Sequence, residues 1–126
     1  ADAINKRRLT LWSTYHQWFR RVEEIGACRR PLIPRDCTHN AHMYYLLLPD
    51  LDRRTRFIEQ MRAHDIGAVF HYVPLHSAPT GQKLGRICGS MTHTDSLSER
   101  LVRMPLWLGL EDDQARIIQE ATNALA

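Results

Sequence analysis

Lysine is nearly missing from this sequence: 126 residues contain only Lys6 and Lys83, against fifteen arginines. The basic pairs Arg7-Arg8, Arg20-Arg21, Arg29-Arg30 and Arg53-Arg54 are spread out and interrupted by acids, and the net charge is only +3. A nucleic-acid binder would carry a denser patch, so that class is set aside. Arginine does suit phosphate oxygens, because its planar fork meets two at once. No apolar run approaches the roughly 20 residues that a membrane-spanning helix needs. The start, Ala-Asp-Ala, lacks an initiator methionine and the basic-then-apolar pattern of a secretory signal. The chain therefore reads as processed, or as a piece of something longer. Cysteine is scarce: Cys28, Cys37 and Cys88 make an odd count without a CxxC pair. That excludes a disulfide framework and points to a reducing compartment, the cytoplasm. His39-x-x-His42 and Cys88-x4-His93 come nearest to metal-ligand spacing, but neither is joined to a second pair, and no metal site is expected. Glycine-rich phosphate loops and the GxSxG elbow are also absent.

What remains is ordinary globular composition, with 44% hydrophobic and 25% charged residues in a length that suits one domain. Ala3 to Ile25 reads as a long helix, with Ile4, Leu11, Tyr15, Trp18, Val22 and Ile25 at helical spacing and Trp12 and Phe19 widening the stripe. Gly26 is a natural stop. So many rings on one helix argue for core packing, with a ligand box as the sharper alternative. Ala27 to Asn40 is a connection. His42 to Leu48, HMYYLLL, is a strand, expected to be central. Asp52 is placed to cap a helix from Arg53 to His64 that buries Phe57, Ile58 and Met61, and Asp65-Ile66-Gly67 closes it. Ala68 to Val73 is a second strand.

Pro74 to Asp95 is expected to be a loop, and ordered loops this long are often functional. Ser96-Leu97-Ser98-Glu99 has capping-box form and opens a short helix to Val102. Met104 to Leu108 is a third short strand or extended run. Glu111-Asp112-Asp113 opens a last helix whose face is Ala115, Ile118, Thr122 and Leu125. The order α, β, α, β, loop, α, β, α predicts an α+β fold: a short, mostly antiparallel sheet with helices packed on one face.

The chemistry-bearing residues concentrate in AVFHYVPLHSAPTG, Ala68 to Gly81. His71, Tyr72 and His76 fall within six residues at a strand end, ahead of the long loop. Each ring alone is ordinarily structural or solvent-exposed, and for Tyr72 the plain alternative is packing on the sheet; three together favour a binding role. His71 could act as a general base, but no partner for it is visible.

The run from Asp52 to His76 resembles the C-terminal part of the sugar-nucleotide aminotransferases, pyridoxal-phosphate enzymes of aspartate-aminotransferase fold type. The matching pieces are Ile66-Gly67, His71-Tyr72-Val73-Pro74-Leu75-His76, Ser98-Glu99-Arg100 and Met104-Pro105-Leu106, and the likeness extends over nearly the whole chain. Within the family, HNAHM and AVFHYVPLHSAPTG look like the members that make dTDP-4-amino-4,6-dideoxygalactose for enterobacterial common antigen, a branch of lipopolysaccharide biosynthesis. The resemblance implies a single small domain, 1–126, of a homodimeric enzyme that moves an amino group from glutamate to a dTDP-4-keto-6-deoxy sugar. It implies that His71, Tyr72 and His76 line the small-domain side of the substrate cleft, with the following loop as its rim. The cofactor's lysine, ring aspartate and phosphate ligands would lie in a large N-terminal domain outside this sequence. Neither Lys6 nor Lys83 matches that lysine, so no catalytic residue and no bound pyridoxal phosphate are expected in the chain itself, which alone would be inactive. Leu9 to Phe19 would present an apolar face to the large domain or a second subunit. A non-enzymatic α+β ligand-binding or interaction module is the rival reading.

Overall fold

The computed structural model describes residues 1–126 as six helices and a three-stranded sheet. The strands are β1 (Tyr44–Leu47), β2 (Val69–Phe70) and β3 (Leu101–Met104), in the order β1-β3-β2, with both pairings antiparallel. The α+β class with an antiparallel sheet is therefore as expected. The middle strand is β3, which runs earlier than the expected Met104 to Leu108. HMYYLLL is not central: β1 has β3 on one side and only an isolated bridge on the other, where Arg29 N donates to the Leu47 carbonyl at 2.8 Å and Leu47 N to the Arg29 carbonyl at 2.9 Å. Register sets the faces. Tyr44 opposes Met104 and Leu46 opposes Val102, and these four side chains form the sheet's contribution to the core.

The long first helix is two, α1 (Asp2–Trp18) and α2 (Arg20–Glu24), broken at Phe19. At that turn the His16 carbonyl accepts from the Arg30 guanidinium, a partner outside the helix. Arg30 is itself clamped by Glu23, whose two oxygens accept from its backbone N and Nε at 2.7 Å each. The carboxyl of Glu23 lies below its ordinary range: burial pushes it up, but the bonds from Arg30 and the guanidinium charge pull it further down. Gly26, at φ +79°, ends the segment in the left-handed conformation expected of it.

The buried stripe of α1 and α2 is Leu11, Trp12, Tyr15, Phe19 and Val22, while Ile4, Trp18 and Ile25 are exposed. Tyr15, Phe19 and Trp12 gather round Tyr44, with centroids 5.2, 6.1 and 5.3 Å from its ring. Core packing therefore accounts for three of the four aromatic residues of Leu9 to Phe19, and the apolar face expected there shrinks to Trp18. The Tyr15 hydroxyl donates to the Pro105 carbonyl at 2.9 Å. The Tyr44 hydroxyl is buried without a partner.

Helix α3 (Leu51–Ala63) buries Phe57 and Met61 as expected, with Ile58 at the core's edge. Its cap is Asp50, not Asp52: Asp50 Oδ1 accepts from Arg53 N at 2.7 Å, because the extended backbone of residue 50 aims the carboxylate at the first free amide. Helix α6 (Gln114–Leu125) buries Gln114, Ile117, Ile118, Ala121 and Leu125; Ile118 and Leu125 are as expected, while Ala115 is exposed and Thr122 only half-buried, their places taken by Gln114 and Ala121. Buried Gln114 donates from Nε2 to the Leu11 carbonyl at 2.6 Å and pins α6 to α1. Glu111 does not start α6 but pairs with Arg7 at 2.6 Å and accepts from Gly109 N at 2.7 Å.

The expected loop is partly helical. It holds α4 (Pro79–Leu84) and the start of α5 (Thr92–Arg100), which begins a turn before Ser96 and is not capped by that serine. Ser98 Oγ instead donates back to the Asp95 carbonyl at 2.9 Å. Neither α4 nor α5 buries a residue. No helix is long and apolar enough to cross a membrane.

Candidate functional site

An open groove of about 440 Å³ is lined by the segment from the end of β2 to Ser77, by α5 and by the start of α3. Leu51 and Arg54 of α3 form one end. Phe70, Tyr72, Val73, Pro74 and Ser77 form a wall, and Asp95, Ser98 and Glu99 of α5 face it. Proline at 74 and the turn after it, where Ser77 N, Ala78 N and Ser77 Oγ all donate to the Pro74 carbonyl, fold the chain back so that residues 72–77 line one side.

Tyr72 is on the groove and 74% exposed. The Arg103 guanidinium stands 5.7 Å from the centre of its ring, and the half-buried His71 ring lies 4.8 Å away at 57°. His71 is not itself a lining residue. Its Nδ1 is buried and has no hydrogen-bond partner. His76 lies apart, in a smaller pocket with Gly81, Gln82, Gly85, Arg86 and Ile87. Its Nε2 donates to Asp95 Oδ1 at 2.7 Å, so it meets the groove only through that carboxylate. The three rings singled out from the sequence therefore do not converge. Tyr72 is on the wall, His71 is behind it, and His76 holds Asp95.

Two arginines belong to this region and were not singled out. Arg54 sits with its guanidinium 5.4 Å from the centre of the Phe70 ring and donates a long bond, 3.5 Å, to the Ser98 carbonyl. Like Arg103, it has a buried Nε without a partner. In sequence Arg54 is half of an ordinary basic pair. Arg103 reaches Tyr72 only because the β2–β3 register sets Val69 opposite it. No local spacing carries either signal.

The groove thus combines the rings of Phe70 and Tyr72, one guanidinium, two carboxylates and the hydroxyls of Tyr72, Ser77 and Ser98. That donor set suits a polar, hydroxyl-bearing ligand with a flat or anionic part. No group of three or more His, Cys, Asp or Glu residues is placed to hold a metal ion.

Comparison with known proteins agrees over the whole chain. A sequence profile of the DegT/DnrJ/EryC1/StrS aminotransferase family matches residues 1–122. An uncharacterized protein of Methanocaldococcus jannaschii is 30% identical over 118 residues, which are 90% of this chain and 30% of that protein. Among solved structures, the aminotransferase TlmJ from Streptoalloteichus hindustanus superposes with a TM-score of 0.84 at 21% identity, over 98% of this chain and 32% of its own. S. venezuelae DesV, solved in complex with a ketimine intermediate, gives 0.84 at 23% identity over 98% and 32%. Helicobacter pylori PseC, an aminotransferase of pseudoaminic acid biosynthesis, gives 0.83 at 16% over 98% and 33%. At these identities the structures establish a shared fold, and the chain spans about a third of the length of each protein it matches. With its profile matched from residue 1 to residue 122, this chain belongs to the DegT/DnrJ/EryC1/StrS aminotransferase family.

Proposed function

We propose that residues 1–126 are the single C-terminal small domain of a pyridoxal-phosphate-dependent sugar-nucleotide aminotransferase and form the substrate side of its cleft. The groove carries this reading: Tyr72 of the HYVPLH element and Ser77 line one wall, with the Ser98 hydroxyl on α5 and Arg54 on α3 completing the lining. Tyr72 would offer a hydrogen bond to a sugar hydroxyl, and His71 would support its ring from behind, with the buried Nδ1 unpartnered. His76 would act on the ligand through Asp95, holding that carboxylate at the groove's edge. The parent would take its amino group from glutamate and deliver it to a dTDP-4-keto-6-deoxy sugar, as a cytoplasmic homodimer. The finer substrate assignment, to enterobacterial common antigen synthesis, rests on the words HNAHM and AVFHYVPLHSAPTG.

When bound, the cofactor supplies the electron sink for moving the amino group. The residues of this chain do not make a site for it. Lys6 stands on an open face of α1 among Asn5, Thr10 and Ser13, where no ring and no second cation line the surface. Lys83 is exposed in the last turn of α4. The cofactor would therefore belong to polypeptide outside these residues, and the 126 residues alone are expected to bind none and to show no transaminase activity.

The test uses the full-length parent. It should be yellow with bound cofactor, lose that colour with glutamate, and regain it with a dTDP-4-keto-6-deoxy sugar. Tyr72→Phe and His71→Gln should raise KM for the nucleotide sugar and leave bleaching by glutamate unchanged. A parent that glutamate does not bleach would end this reading. The rival, a non-enzymatic binding module, has no observation in its favour.

A further inference from the structure

We infer that the segment from Val69 to Ile87 is the face on which the rest of the parent polypeptide docks; this rests on the reading of the chain as one domain of a longer enzyme. Fourteen large apolar side chains are left exposed on this chain, and seven of them fall between residues 69 and 87: Phe70, Tyr72 and Val73 line the groove, and Val69, Leu75, Leu84 and Ile87 lie outside it, free for a docked neighbour. The same stretch contains no acid and only two cations, Lys83 and Arg86, in a protein that is 25% charged. Apolar enrichment with charge depletion is the composition of an interface core, and a patch of this kind is rare on a free monomer.

The segment is also built rigidly with those side chains outward. Its turn amides are bonded to the Pro74 carbonyl, and His76 is tied to Asp95 at 2.7 Å. Gly81 packs so closely that a Cβ there would lie 1.6 Å from the Leu75 carbonyl oxygen. The backbone is thus fixed by its own bonds while Leu75 and Leu84 remain 83% and 84% exposed. A flexible loop would fold such side chains down; a fixed apolar surface needs a permanent neighbour. The solved relatives carry about two-thirds of their length outside the part that matches this chain, which makes the remainder of the same polypeptide that neighbour. The docking face therefore moves from α1, whose rings are buried against its own sheet, to the far end of β2.

Hydroxyl-radical footprinting of the unmodified full-length protein tests this. Leu32 is an internal control of the same type and the same exposure, 85%, outside the segment. Leu75 and Leu84 should oxidise at least about fivefold more slowly in the native protein than in urea, as expected for a water-excluding interface core, with Leu32 near its unfolded rate. Leu75 and Leu84 as reactive as Leu32 would overturn the inference. So would equal protection of all three, which makes the shielding general and not a property of this segment, or protection lost on dilution to monomer, which makes the occupant a second copy. The bleaching assay with glutamate reports separately on the transaminase reading, so either can fail alone.

Discussion

Two tyrosines in one cluster should respond in opposite directions to loss of a hydroxyl. Tyr15 and Tyr44 are both fully buried, with ring centroids 5.2 Å apart, and burial raises both phenols far above their ordinary range. The Tyr15 hydroxyl donates to the Pro105 carbonyl across 90 residues of chain, tying α1 to the end of β3. Tyr15→Phe keeps the ring and leaves that carbonyl unsatisfied, at a cost of about 1–3 kcal/mol. The Tyr44 hydroxyl has no partner, so Tyr44→Phe removes a desolvated polar group and should be neutral or stabilising by up to about 1 kcal/mol. An unfolding entropy of roughly 2.1 cal/mol/K per residue over this length makes 1 kcal/mol worth about 4 °C in Tm. Tyr15→Phe should thus lower Tm by roughly 4–12 °C, and Tyr44→Phe should leave it level or raise it. Urea unfolding of the two variants, followed by far-UV circular dichroism, reads the sign directly. Equal losses in both would refute the packing described, because they would require a bonded Tyr44 hydroxyl.

The remaining predictions concern acid stability, capping and thiol reactivity. His16 is pulled below its ordinary pKa by burial first and by the Arg30 charge second. The unfolded chain therefore takes up a proton near pH 6.5 that the folded chain refuses, and stability should fall as pH drops from about 7.5 toward 5.5. Glu23, held low by Arg30, adds a further loss only as pH falls below the ordinary carboxyl range. In urea titrations at a series of pH values, His16→Gln should flatten the upper part of this slope, and an unchanged slope would count against the His16 environment. Asp50→Ala should cost about 1 kcal/mol through its lost cap, with Asp52→Ala well below that, and the reverse order would restore Asp52 as the cap. Burial pushes the Cys28 thiol up to about 12, so a thiol reagent at mild alkaline pH should modify Cys37 and Cys88 in the native chain and all three in denaturant; rapid native labelling of Cys28 would contradict its burial.

The elements that were legible in the sequence are those whose side chains report their own burial. Phe57 and Met61 recur at helical spacing because α3 puts that face in the core, and Gly26 stands where the backbone turns left-handed. Strand order was not legible. HMYYLLL is apolar enough for a middle strand, but the rings of α1 cover it on one face, and the middle place goes to β3 through pairings at distant residues. The aromatic helix misled for a related reason: with rings on most sides, more than one stripe fits a helical period, and only the one facing Tyr44 is buried. Arg54 and Arg103 reach the groove region by packing and register, which local spacing does not encode. The miss at Pro74 to Asp95 has a different cause. Periodicity detects a helix by what the helix buries, and α4 and the first turn of α5 bury nothing. The apolar residues of this stretch, Leu84 among them, face outward, so the pattern that would mark a helix within one domain is missing. A stretch that is apolar, poor in charge and without a period, yet fixed by its own hydrogen bonds, reads as a loop when the chain is taken alone. The same features describe a surface whose complement lies elsewhere in a longer polypeptide, and for that reason the least legible part of this sequence is where the docking face is assigned.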